Sequence, residues 1–134
     1  MKNLESLKER IIKALEEKGF RVIRRGLING ISGVKHFFDL VVEDPRRGSR
    51  LAVSLSDKVS FEHIFSILAT RMDTRTGHLL IAKEVDREAI ELLQKVNVTT
   101  LILGGKFSLI SNSIESGEEL ILDVIIRQLK GEKE

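Results

Sequence analysis

The chain contains no cysteine, no tryptophan, no tyrosine and a single proline, Pro45. Without thiols, disulfide bridges and thiolate nucleophiles are excluded. The three histidines, His36, His63 and His78, are scattered without the spacing of a zinc site. No apolar run approaches the length of a membrane span. The opening residues, MKNLESLKER, hold no apolar signal core, so the expectation is a cytoplasmic protein with no membrane partner. Aromatic residues are scarce, at 4%, and all six are Phe. They fall mostly in apolar stripes and read as core, not as platforms for stacking bases.

What is present suits one globular domain over residues 1–134, with 42% apolar residues and enough length to bury a core. Charged residues make up 31% of the chain. That bias towards Lys, Arg and Glu, with only two Gln, is the composition expected of a thermophile protein. Net charge is +2, but its distribution is uneven. From Lys18 to Arg50 the basic residues Lys18, Arg21, Arg24, Arg25, Lys35, Arg46, Arg47 and Arg50 face only Asp39, Glu43 and Asp44. The segment after Ser113 is acidic instead. Arg24, Arg25, Lys35, Arg46, Arg47 and Arg50 are the candidate phosphate contacts for a DNA or RNA partner; the alternative is a solvated charged surface.

Hydrophobic spacing predicts a helix over Asn3–Lys18, with Leu4, Leu7, Ile11 and Leu15 on one face and Gly19 ending it. Strands follow at Phe20–Ile28, Val34–Val42 and Leu51–Ser56, joined by Asn29-Gly30 with Ser32-Gly33 and by Asp44-Pro45-Arg46-Arg47-Gly48. A helix after Ser60 shows Phe61, Ile64, Phe65 and Leu68 as its apolar face and is broken at Thr76-Gly77. His78–Ala82 and Val98–Leu103 read as buried parallel strands. Between them Asp86 caps a helix with Ile90, Leu93 and Val96 inward. Gly104-Gly105 offers a hairpin to Phe107–Ser111, and Ser116-x-x-Glu119 reads as the capping box of a last helix. The order is αβββαβαβ, then a C-terminal helix, which is an α/β fold with a central mixed sheet flanked by helices.

Within that order, one stretch carries chemistry. Ser32-Gly33-Val34-Lys35-His36-Phe37-Phe38-Asp39-Leu40 resembles the second-strand motif of the PD-(D/E)XK nuclease superfamily, the restriction endonuclease-like fold. Members often show a Ser-Gly, a His and then an aromatic-Asp pair at this place. By element order the resemblance covers about three quarters of the chain; by motif it covers this strand and the next. It implies that Asp39 binds a divalent cation, and that the following strand supplies an acid, any residue, then lysine. Two carboxylates give Mg²⁺ hard oxygen ligands, and the metal activates water for attack on the phosphodiester. Lysine stabilises the growing charge.

The chain departs from this pattern. Leu51, Val53 and Leu55 alternate with Ala52, Ser54 and Ser56, so the acid and lysine positions hold Ser54 and Ser56. Asp39, Ser54, Ser56 and Lys58 are therefore relic or migrated catalytic positions. Asp39 remains a weak metal ligand. Asp57, Lys58 and Glu62 are candidate substitutes, as is a first-helix carboxylate among Glu9, Glu16 and Glu17. Asp39 has a structural reading too, as the cross-strand mate of Arg24 or Arg25. His36 falls on the opposite strand face and reads as a packed or hydrogen-bonded histidine. The leading expectation is a nuclease-like domain that has lost cleavage, needs no cofactor, and acts in nucleic-acid binding or complex assembly. The alternatives are an Mg²⁺- or Mn²⁺-dependent endonuclease with migrated residues, and a module for homodimer or other subunit contacts.

Overall fold

The structure, a computed structural model, describes residues 4–95, 98–103 and 114–131. Helix α1, Leu4–Glu17, forms where Leu7, Ile11 and Leu15 recur at helical spacing, and it buries all three together with Ile12. It stops at Gly19, whose φ of 94° is a left-handed conformation that a side chain would strain. There Gly19 N donates to Glu16 O and Phe20 N to Leu15 O, which satisfies carbonyls at the helix end. Strands β1, Arg21–Asn29, β2, Lys35–Asp44, and β3, Ser49–Val59, follow as an antiparallel meander.

Helix α2, Phe61–Thr74, then carries the chain back to β4, Gly77–Val85, and α3, Arg87–Lys95, leads to β5, Thr99–Ile102. Both new strands are parallel to their neighbours, as strand–helix–strand crossovers require. Helix α4, Ile114–Leu129, closes the described chain. The sheet is mixed, in the order β1-β2-β3-β4-β5. This is the αβββαβαβ order with a C-terminal helix that the sequence predicts, and the α/β mixed sheet that the resemblance implies.

One sheet face presents Leu40, Val42, Leu51, Val53, Leu79 and Ile81 to α1 and α4, where Ile121, Val124, Ile125 and Leu129 complete the core. On the other face Leu80 and Ala82 pack with Ile64 of α2 and with Ala89 and Leu93 of α3. Beside them Ile28, Phe38, Val41 and Ala52 form a smaller apolar cluster. Gly26 is squeezed there: a Cβ would stand 2.4 Å from Val41 Cγ2.

Several local expectations are corrected. Helix α2 ends one turn residue earlier than Thr76-Gly77, because Arg75 adopts the left-handed conformation (φ 52°) and its N–H reaches Arg71 O. Only Ile64 of its expected apolar face is buried, with Leu68 half-buried; Phe61 and Phe65 point to solvent, since the helix leans on the sheet by a narrow stripe. Asp86 stands at the start of α3 as expected, its carbonyl accepting Ile90 N–H at 3.0 Å, while its carboxylate accepts Phe61 N–H of α2 at 3.3 Å. Helix α4 starts at Ile114, so Ser116 lies inside its first turn and not at its cap. The hairpin over Gly104-Gly105 and Phe107–Ser111, the inward position of Val96 and the start of the first helix at Asn3 lie outside the described residues.

Candidate functional site

Strands β2 and β3 pair from Asp44↔Ser49 up to Leu40↔Val53. Asp39 is the next residue, at the point where the ladder stops. Its carboxylate bridges the opening, with Leu55 N donating to Oδ2 at 2.8 Å. Part of its acceptor capacity is thus committed to the backbone. The Arg24 and Arg25 reading is corrected here. Arg24 gives both terminal guanidinium nitrogens to Glu9 of α1, the Nη2 bond at 2.8 Å. Arg25 lies across from Asp39, between Arg24↔Leu40 and Gly26↔Phe38, in a left-handed conformation (φ 50°); it is exposed and makes no ion pair with Asp39 among the described residues.

Alternation along β3 sends Val53 and Leu55 to the core under α1 and α4, and so turns Ser54 to the opposite face. Its hydroxyl lies 2.8 Å from His78 Nε2 on β4. Parallel register places His78 opposite Ala52, one step from Ser54 on the same face. The imidazole is 6% exposed and receives the edge of Phe38, ring centroids 5.3 Å apart. Burial pushes its pKa down to about 4; the Arg71 cation adds to the effect and the Asp39 carboxylate opposes it. His78 is therefore a neutral imidazole at neutral pH. Its Nδ1 and the buried Nε of Arg71 have no hydrogen-bond partner among the described residues. Asp39, Ser54, His78 and Arg71 thus form one polar chamber in an otherwise apolar sheet face.

The sequence reading singled out Asp39 and Ser54 but missed His78 and Arg71. His78 had a signal, a polar residue opening an apolar strand, the same kind that marks Asp39. Arg71 had none, because a basic residue in the last turn of a helix is common.

The other candidate positions lie apart from the chamber. Ser56 donates to the carbonyl of Lys58 at 3.0 Å, and the Lys58 side chain is exposed. Asp57 is exposed and 3.6 Å from Lys83. Glu62 accepts the Ser60 hydroxyl at 3.0 Å. Glu9 is held by Arg24, and Glu16 and Glu17 are exposed. Among the described residues no group of three or more His, Asp or Glu is arranged to hold a metal ion. The chamber offers one partly committed carboxylate, one hydroxyl and one imidazole, a donor set that does not fit Mg²⁺ or Mn²⁺.

His36 is hydrogen-bonded, its Nε2 lying 2.7 Å from Asp73 Oδ2 on α2. The Ser32 backbone N–H and hydroxyl add bonds to the same carboxylate at 2.9 and 2.7 Å. These bonds, from His36 first, hold the Asp73 pKa down at about 2. The six candidate phosphate contacts occupy separate places. Arg24 and Arg25 are on edge strand β1, and Lys35 starts β2. Arg46, Arg47 and Arg50 lie at the other end of β2, roughly 30 Å from Lys35 at strand rise.

No family model matches the chain. An uncharacterized protein of Archaeoglobus fulgidus is 32% identical over 121 residues, which span 90% of this chain and 93% of the relative. The chain belongs to one family with that protein. Among solved structures, it is similar to a repair endonuclease from Pyrococcus abyssi, at 18% identity and TM-score 0.49, over 78% of this chain and 48% of that one. It is also similar to EndoMS in a complex with double-stranded DNA, at 18% identity and TM-score 0.47, over 75% of this chain and 44% of that one. The chain spans less than half the length of either solved chain.

Proposed function

We propose that this chain is a nuclease-like domain that has lost phosphodiester cleavage and works by holding nucleic acid and assembling with a second copy of itself. The observation that carries the reading is the fate of the acid position. Ser54 stands there and is engaged by the neutral, buried His78 at 2.8 Å. Asp39 is left as a lone carboxylate that also serves the Leu55 N–H. A hydroxyl and an imidazole do not supply the second hard anionic ligand that hydrolysis of this type draws on.

Plasmid, branched DNA and RNA incubated with Mg²⁺ or Mn²⁺ should survive intact. Chelator-sensitive cleavage that disappears in Asp39→Ala would sink the reading and favour the active endonuclease. A repair experiment tests the motif itself. Ser54→Asp with Ser56→Lys restores the acid-x-lysine pair on β3 and should raise Mn²⁺ affinity about tenfold or more in calorimetry. No gain in a protein that stays folded means that Ser54 and Ser56 are not the acid and lysine positions.

Assembly with a second copy is favoured by a separate observation. Large apolar side chains of α2 and of the β1–β2 hairpin, among them Phe37, Phe65, Ile31 and Met72, stand in solvent.

A further inference from the structure

A cleft of about 510 Å³ opens between the C-terminal ends of α1 and α4 and the β2–β3 turn. Lys18, Arg46, Arg47 and Lys130 line it, with Phe20 as an apolar wall and Asp44 as the one acid. Asp44 is buried and already committed. Its Oδ1 accepts Arg46 N–H at 3.1 Å, and its Oδ2 is 3.7 Å from Arg47 Nε. Four cations against one carboxylate leave three positive charges converging on one space. Such crowding opposes folding through like-charge repulsion, so it calls for a reason.

Two ordinary reasons are insufficient. Cations at helix C-termini often serve the free carbonyls there. Here other donors serve those groups: Gly19 N and Phe20 N take Glu16 O and Leu15 O, while Gly131 N takes Gln128 O. The Ser49 hydroxyl donates to Leu129 O at 2.6 Å. Structural ion pairing is the second reason, yet among the described residues Lys18, Arg46 and Lys130 have no carboxylate partner, and Arg47 has only the long contact to Asp44. Arg46 nevertheless reaches across the cleft, since a Cβ at Gly19 would stand 3.8 Å from its Nη2.

We infer that this cleft is a binding site for a phosphate group, either the phosphodiester backbone of nucleic acid or a free polyphosphate. Arg46 and Arg47 supply planar forks that match phosphate oxygens, and Lys18 and Lys130 supply point charges on either side. The site is separate from the Asp39 chamber, since Asp44 lies five residues further along β2, roughly 17 Å at strand rise. The inference deepens the nucleic-acid reading but does not stand or fall with it, because free polyphosphate meets the same four cations.

Two ligands distinguish the sources. Inorganic pyrophosphate is titrated calorimetrically into the full chain, and a labelled DNA duplex is followed by anisotropy across a salt series. The comparison is with K18Q/R46Q/R47Q/K130Q and with Lys95→Gln at the exposed end of α3. Pyrophosphate affinity should fall about tenfold or more in the quadruple variant and stay unchanged in Lys95→Gln. If the duplex occupies the cleft, its log–log salt slope should also drop, by up to about 0.9 for each cation removed. Lost pyrophosphate binding with an unchanged duplex slope assigns the cleft to free polyphosphate, while the nucleic-acid reading is judged on the duplex alone. Absence of pyrophosphate binding by the native chain, or equal binding by the folded quadruple variant, overturns the site. Should the quadruple variant not fold, Arg46→Gln with Arg47→Gln on the exposed turn gives the same readout, and Arg46→Lys with Arg47→Lys should retain most of the affinity.

Discussion

His78 links the chemistry of the chamber to the stability of the chain. Its pKa is about 4 in the folded protein against 6.5 in an open chain. Above about pH 6.5 neither state carries the proton. Between there and pH 4 the unfolded chain binds it and the folded chain does not, so stability falls as pH drops through that window. The displaced equilibrium corresponds to on the order of 3 kcal/mol. Native urea midpoints should therefore decline between pH 7 and pH 4.5, and His78→Gln should flatten much of the decline. An equally steep decline in the variant would place the titrating group elsewhere. Asp73 acts in a different window. Its pKa is lowered to about 2, so its contribution is complete above about pH 4 and is lost only as pH falls towards 2.

At the scale of elements, Asp73 serves as a clamp. Helix α2 and the loop between β1 and β2 are joined by the bonds of its carboxylate to Ser32 and His36 and by Ile31 N donating to Asp73 O at 2.9 Å. Gly30 is required beneath it, because a Cβ there would stand 1.8 Å from Asp73 Oδ2. Gly30→Ala should cost about 1–3 kcal/mol, read from urea denaturation, by displacing the carboxylate. Most of that cost should disappear in an Asp73→Ala background, where nothing remains to clash. Simple additivity of the two substitutions would disprove the clamp.

The same contacts explain what was legible in the sequence. Periodicity and turn chemistry located α1, the meander and the two crossovers, since those depend on local spacing. The turn expected at Asn29-Gly30 forms over Gly30–Gly33, with Asn29 ending β1, but the reason for Gly30 lies 43 residues away at Asp73 and leaves no local mark. His78 and Arg71 escaped for the same reason, as the chamber joins β2, β3, β4 and α2. The exposure of Phe61 and Phe65 went unread because an apolar stripe shows that a helix face is apolar, not what covers it.

At the scale of the molecule, that uncovered face argues for a second copy. Ile31 is 67% exposed, Met72 66% and Phe65 62%. The Asp73 clamp fixes the hairpin tip against the end of α2, bringing Ile31 beside the turn that carries Met72. Phe65 and Phe61, about two and three turns back towards the start of the helix, stack edge-to-face with centroids 5.7 Å apart. A rigid apolar strip on two locked elements suits an isologous contact, in which each copy offers the same surface to the other. Sedimentation across a concentration series should show a monomer–dimer equilibrium. Phe65→Glu should shift it towards monomer by about 2 kcal/mol or more, since an aromatic anchor is replaced by a charge with no partner. The variant should keep its far-ultraviolet spectrum and thermal midpoint, because Phe65 lies outside the core. A native chain that stays monomeric at high concentration in light scattering would exclude the second copy as the occupant of this face.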